Sequence, residues 1–223
     1  MSSSTPHRLL LVTLALLGLA CGSSVDEPPA STRVVDGDPP LVLFLGDSLA
    51  AGYGLPEDEA FPAVLRDLLA ERGKDIEIIN AGVSGDTSTG GLNRLDWVLE
   101  SEPDLVFIEL GANDGLRGQS VETMEANLRA IVDGVRAAGA RPLLTGMQMP
   151  PNYGPEYAGK FKAVFPRVAD ELDVPFFPFL LKDVAAKPKY NLGDLIHPNR
   201  EGHRIIAENL LDFFEDALDD LEG

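Results

Sequence analysis

The 223-residue chain is 44% hydrophobic and 24% charged, the balance of a soluble chain able to bury one core of its own. Its 36 Asp and Glu outnumber 18 Lys and Arg, and a formal net charge of -18 repels phosphate backbones and anionic headgroups, which excludes nucleic acid as an expected partner. A single cysteine excludes an internal disulfide, so an exported domain has to be stable through packing alone.

In chain order, His7 and Arg8 precede the apolar run LLLVTLALLGLA, Leu9 to Ala20, which has the length of a signal-peptide core and is too short to cross a bilayer. Residues 1–20 therefore read as an export signal. The run ends in LLGLAC, which resembles a lipoprotein cleavage box with Gly18 where Leu is commoner. Cys21 is then the expected lipidation site, and an N-terminal lipid anchor the expected contact with a membrane. The alternative, cleavage near Ala20 with Cys21 incidental, makes the protein soluble in the periplasm or secreted. Residues 21–40 mix Ser, Pro, Gly and acids with almost no large apolar side chain, cannot pack a core, and read as a tether. The folded domain is expected over residues 41–220.

That domain opens with LVLFL, Leu41 to Leu45, an unbroken apolar run of the kind buried on both faces of a parallel sheet. Ser48 follows within one turn and is either a helix cap or a nucleophile. Next come an amphipathic helix from Phe61 to Arg72, a strand Ile76 to Ile79, a helical GLNRLDWVLES segment and a strand Leu105 to Leu110. A helix stopping at Gly139, a strand Leu143 to Met149, a helix from about Lys160 to Leu172, a short VPFFPF strand and a closing helix Glu201 to Leu218 complete the series. Alternating strands and helices imply right-handed crossovers, hence a three-layer α/β/α sandwich around a mostly parallel sheet. Ligands gather at the carboxyl ends of such strands. Three of those ends carry polar residues on glycine-rich loops: GDS at Gly46 to Ser48, NAGVSGDTS at Asn80 to Ser88, and GANDG at Gly111 to Gly115.

A serine hydroxyl needs a base to take its proton, usually a histidine held by a carboxylate. Within the expected domain the histidines are His197 and His203. His203 lies on the closing helix and carries no expected catalytic duty. His197 sits in GDLIHPNREGH, three residues after Asp194 and just before Pro198, which delays the helix. That spacing lets the Asp194 carboxylate reach Nδ1–H and leaves Nε2 as acceptor; a capping Asp beside a surface His is the competing explanation. Gly85, without a side chain, and the Asn113 amide are candidate donors to an oxyanion, and ordinary turn chemistry is the competing explanation for both. MPPNYGPEY, Met149 to Tyr157, describes a stiff loop able to lie along an acyl chain.

GDSL, SGDTS, GANDG and DLIHPN, in that order, resemble the blocks of the GDSL or SGNH hydrolases. The resemblance spans nearly all of Leu41 to Leu218. GDSLAAGYGL, ELGANDGLRG and MPPNYGPEY are similar to the bacterial multifunctional arylesterase, thioesterase and lysophospholipase branch. It implies a flavodoxin-like fold, Ser48 as nucleophile, His197 as general base, Asp194 as its orienter, and an oxyanion hole from Ser48, Gly85 and Asn113. The implied substrates are carboxylic esters or thioesters of small or medium-chain acyl groups. No cofactor is expected, two histidines and a lipidated cysteine make no metal site, and a monomer is expected.

Two rivals remain. Asp47, after the first strand, is the position of a phosphorylated carboxylate in magnesium-dependent phosphoryl transfer, although Leu49 stands where a second acid is wanted. The other rival is a lipoprotein binding module without turnover.

Overall fold

In a computed structural model, Met1 and residues 37–222 are described; the expected signal, Cys21 and most of the tether fall outside them. Among the described residues, secondary structure begins at Leu41. Strand β1 (Leu41–Gly46) is buried along its whole length and leads into a single-turn helix α1 (Ser48–Ala51). Helix α2 (Phe61–Glu71) precedes β2 (Glu77–Asn80), and the short helices α3 (Ser88–Asn93) and α4 (Leu95–Leu99) precede β3 (Leu105–Glu109). Then come α5 (Ala112–Leu116), α6 (Val121–Ala137), β4 (Arg141–Thr145), α7 (Pro155–Leu172), β5 (Phe176–Phe177) and α8 (Arg200–Glu222).

The five strands lie in the order β2-β1-β3-β4-β5, and every neighbouring pair is parallel. From β1 the chain steps one way to β2, and from β3 onward it steps the other way. With right-handed crossovers, that reversal sends α2 to one face and α3, α4, α6 and α7 to the opposite face. The helix contacts agree: α2 packs on α8, while α6 packs on α3, α4 and α7. The three-layer α/β/α sandwich is the architecture expected from the sequence. Phe44 and Phe107 point to the α2/α8 layer, with Phe44 5.8 Å from both Phe61 and Phe214 between ring centroids. Their neighbours Leu43, Leu45, Val106 and Ile108, fully buried, alternate to the other face.

The reversal makes the carboxyl ends of β1 and β3 the switch point, where sheets of this strand order bind ligands. Ser48 follows β1 and Asn113 follows β3.

Several boundaries move. The GLNRLDWVLES segment breaks at Arg94, whose backbone leaves the helical region between α3 and α4. Strand β4 begins at Arg141 and stops at Thr145, four residues short of Met149, where its two-residue partner β5 also ends; Gly146 still bonds the Phe177 carbonyl, and a Cβ there would lie 2.4 Å from the Pro178 carbonyl oxygen. Helix α7 starts at Pro155 rather than Lys160, since proline suits the first helical position and loses no hydrogen bond there.

Candidate active site

The turn after β1 is shaped by its neighbours. Asp47, not Ser48, caps α1: its Oδ1 accepts the Leu49 N–H at 2.9 Å. The cap alternative for Ser48 is thereby corrected, and the reason is steric order, because the cap must precede the first helical residue. As that first residue, Ser48 has an N–H with no acceptor inside the helix. Loop 81–86 presses against α1, and a Cβ at Gly82 would stand 2.3 Å from the Ala51 nitrogen, so only glycine allows the approach.

Ser48 Oγ lies 3.0 Å from His197 Nε2, and His197 Nδ1 lies 2.6 Å from Asp194 Oδ2. The other carboxylate oxygen of Asp194 accepts the N–H groups of Ile196 and His197 at 2.9 and 3.0 Å, closing a tight turn with Leu195 at a φ of 61°. These bonds, the one to the His197 ring foremost, pull the Asp194 carboxyl down to about 2. Below the turn, an Asn191–Pro198 bridge and the Asn199 side chain, which accepts the Gly202 N–H at the start of α8, hold its base. The Tyr53 ring packs on the His197 imidazole at 4.4 Å between centroids. The spacing Asp-x-x-His thus lets Asp194 both cap its own turn and bond the His197 ring, which puts Asp194, His197 and Ser48 in one hydrogen-bonded line.

Asn113, on α5, donates through Nδ2 to Asp47 Oδ2 at 2.9 Å, which leaves its second amide hydrogen unused. Gly85 takes a φ of 81° in the loop after β2, and its N–H has no acceptor among the described residues. Arg117 Nη2 donates to the Gly85 carbonyl at 2.7 Å. Arg94 bonds Asp86 Oδ2 at 2.8 Å and the Gly46 carbonyl at 3.0 Å, tying the Gly85 loop to the end of β1. Buried Ser88 and Asp114 bond each other, Oγ to Oδ1 at 2.6 Å, with Asn127 donating to Ser88, and so join that loop to α5 and α6.

The sequence reading missed these braces, and it missed Glu109. A lone glutamate in the apolar run LVFIEL and a lone arginine in GLNRLDW were the available signals. Asp47 is 1% exposed and spends its oxygens on Leu49 and Asn113. A buried, committed carboxylate is not presented as a phosphoryl acceptor. His203 is also buried; its Nδ1 accepts the Phe61 N–H at 3.1 Å, and burial depresses it to about 4. The loop Met149 to Tyr157 braces the segment after Asn113, with Tyr153 Oη on the Leu116 carbonyl at 2.9 Å and Tyr157 Oη on that of Gln119 at 3.1 Å. Exposed apolar side chains near the relay are Tyr53, Leu195 and Ile196, with Val83 on the Gly85 loop. Among the described residues no helix is long and apolar enough to cross a membrane, and no group of three or more His, Cys, Asp or Glu could hold a metal ion.

Residues 44–205 match the GDSL-like Lipase/Acylhydrolase family. The chain belongs to that family. It is 44% identical over 168 residues to the thioesterase 1/protease 1/lysophospholipase L1 of Escherichia coli K12, covering 75% of this chain and 79% of the relative. An arylesterase of Vibrio mimicus is 42% identical over 168 residues, covering 75% and 84%. Among solved structures, the psychrotrophic esterase EstA from Pseudoalteromonas sp., inhibited by monoethylphosphonate, superposes with a TM-score of 0.77 at 40% identity, covering 81% of this chain and 99% of that one. This GDSL-family chain is therefore an ester hydrolase.

Proposed function

We propose that the protein hydrolyses carboxylic esters and thioesters of small or medium-chain acyl groups through an acyl-enzyme on Ser48. The observation that carries this is the unbroken hydrogen-bonded line from Asp194 through His197 to Ser48 at the sheet's switch point. Ser48 Oγ attacks the carbonyl carbon while its proton passes to His197 Nε2. The imidazolium is held by Asp194, whose bonds to the turn keep it ionised and the ring fixed. The tetrahedral oxyanion takes the Ser48 and Gly85 N–H groups and the free hydrogen of the Asn113 amide, the three donors with unspent bonds. Collapse breaks the bond to the alcohol or thiol, which leaves with the proton from His197. Water then attacks the acyl-enzyme by the reverse path and restores Ser48. Support for an apolar acyl group comes from Tyr53, Leu195 and Ile196, exposed beside the relay. Support for breadth in the leaving group comes from the names of the arylesterase and thioesterase relatives.

Ser48→Ala is expected to lose about 10⁶-fold in kcat on p-nitrophenyl esters and all labelling by a fluorophosphonate, with unchanged thermal melting. Asp194→Asn is expected to lose up to about 10⁴-fold through the wrong imidazole tautomer. A Ser48→Ala protein that still turns over its ester overturns the assignment, and an unlabelled wild type would revive the binding-module rival.

A further inference from the structure

Behind the Ser48 turn lies a second carboxyl group that the reaction does not consume. Glu109 is the last residue of β3 and is 1% exposed. Its Oε2 accepts the Asp47 N–H at 3.0 Å, and the Ala50 N–H also bonds this carboxyl, so it accepts from the cap of α1 and from the residue two after Ser48. Its Oε1 is buried and has no hydrogen-bond partner among the described residues. The head packs onto bare backbone at Gly46, where a Cβ would stand 2.7 Å from Oε2 and 2.5 Å from the Ala50 Cβ. Alongside is the Asp47 carboxyl, equally buried, which in turn holds the Asn113 amide.

Two adjacent buried carboxylates cannot both be ionised at modest cost, because each is stripped of water and repels the other. A carboxylate at Glu109 would also face the Asp47 carboxylate with no proton between them, whereas a carboxylic acid turns one oxygen into a donor that the Asp47 carboxylate accepts. We propose that Glu109 is held as the neutral acid, sharing its proton with Asp47, and that this pair positions the Ser48 N–H and the Asn113 amide. Burial first, then the Asp47 charge, drives Glu109 well above the usual carboxylate range, and burial lifts Asp47 to about 6. The groups facing the pair are few. The Leu49 N–H and Asn113 amide favour the Asp47 charge, as does His197 from the loop before α8, and Arg94 reaches the Gly46 carbonyl from α3 and α4. Near neutral pH the pair then bears one negative charge, on Asp47, where it stabilises an imidazolium at His197. Glu109 is a positioning residue; it touches no reacting atom.

The inference rests on the Ser48 reading for its consequence in catalysis, but not for the protonation itself. Infrared difference spectra of the inactive Ser48→Ala protein at neutral pH are expected to show a protonated-carboxyl C=O band that Glu109→Gln removes. In the active enzyme, Glu109→Gln, which keeps an acceptor for the Asp47 N–H and a donor toward its carboxyl, is expected to retain kcat within about threefold. Glu109→Leu, which keeps volume but abandons both bonds, is expected to lower kcat by about 10²-fold, comparable with losing one oxyanion donor, with KM changed far less. Wild-type kcat should fall at alkaline pH as the pair loses its proton, and Glu109→Gln should abolish that limb. Absence of the acid band, or a Glu109→Gln variant as impaired as Glu109→Leu, overturns the proposal. If Glu109→Leu does not fold, the spectra and the glutamine variant still decide it.

Discussion

His203, expected on the closing helix without a catalytic duty, is a buried side chain spent on packing. The sequence placed it on the closing helix with no catalytic duty, and the structure adds that it is buried, stacked 6.2 Å from the Phe61 ring and accepting that residue's N–H. Only the neutral ring can accept there, and burial lowers it from 6.5 to about 4. Because the unfolded chain binds this proton more readily, the contribution of His203 is complete above about pH 6.5 and is lost as pH falls toward 4, by about 3 kcal/mol in all. His203→Asn, which keeps an acceptor near the Nδ1 position and cannot titrate, should therefore melt with a shallower acid dependence than wild type between those values. Parallel melting curves across that range would show that the ring finds a partner when protonated. Asp194 and His197 were more legible than Glu109 because their partners lie three residues apart, whereas Glu109 is defined by Asp47, 62 positions away. Local spacing is written in the sequence; a buried neighbour on another strand is not.

At the scale of elements, periodicity found the five strands and the long helices, but it missed the one-turn helices α1 and α5, whose GDSL and GANDG stretches read as loops, and it failed where one residue serves two elements. Arg94 ends α3 and begins α4 because its guanidinium is drawn to Asp86 and to the Gly46 carbonyl, with side-chain exposures of 17% and 12% for the pair. The apolar pattern around it stays helical, so the break is invisible in the sequence. Arg94→Met keeps the length of the side chain but strands a largely buried carboxylate and an end-of-strand carbonyl. It should cost about 2–3 kcal/mol in chemical denaturation and also lower kcat, since the Gly85 loop is tied to β1 through this residue. Wild-type stability in that variant would mean that water replaces the guanidinium. The Met149 to Tyr157 loop is a similar case. Its composition pointed to an acyl-chain surface, while its tyrosine hydroxyls are engaged in bracing the segment that follows Asn113.

Over the whole molecule, the net charge of -18 outweighs the ion pairs. Most of the pairs are exposed, such as Lys160–Glu156 and Arg204–Glu208, and each contributes on the order of 0–1 kcal/mol. Self-repulsion among the excess acids is distributed over the surface and is screened within about 8 Å at physiological ionic strength. Raising sodium chloride from about 10 mM to about 0.3 M at pH 8 should therefore increase the melting temperature. A decrease would show that the exposed pairs, not the excess charge, dominate the surface electrostatics.

By itself the sequence specified the layer architecture and the order of strands and long helices, and it singled out Ser48, Asp194 and His197. Apolar runs and helical spacing are local signals, and Asp194 and His197 are bound by a turn of three residues. The tertiary structure alone decided that β1 and β3 form the switch point, that Asp47 serves as cap and as the holder of Asn113, and that Glu109 lies beneath both. Those facts depend on strand order and on desolvation, and a carboxyl group's charge is set by what surrounds it rather than by what precedes it in the chain.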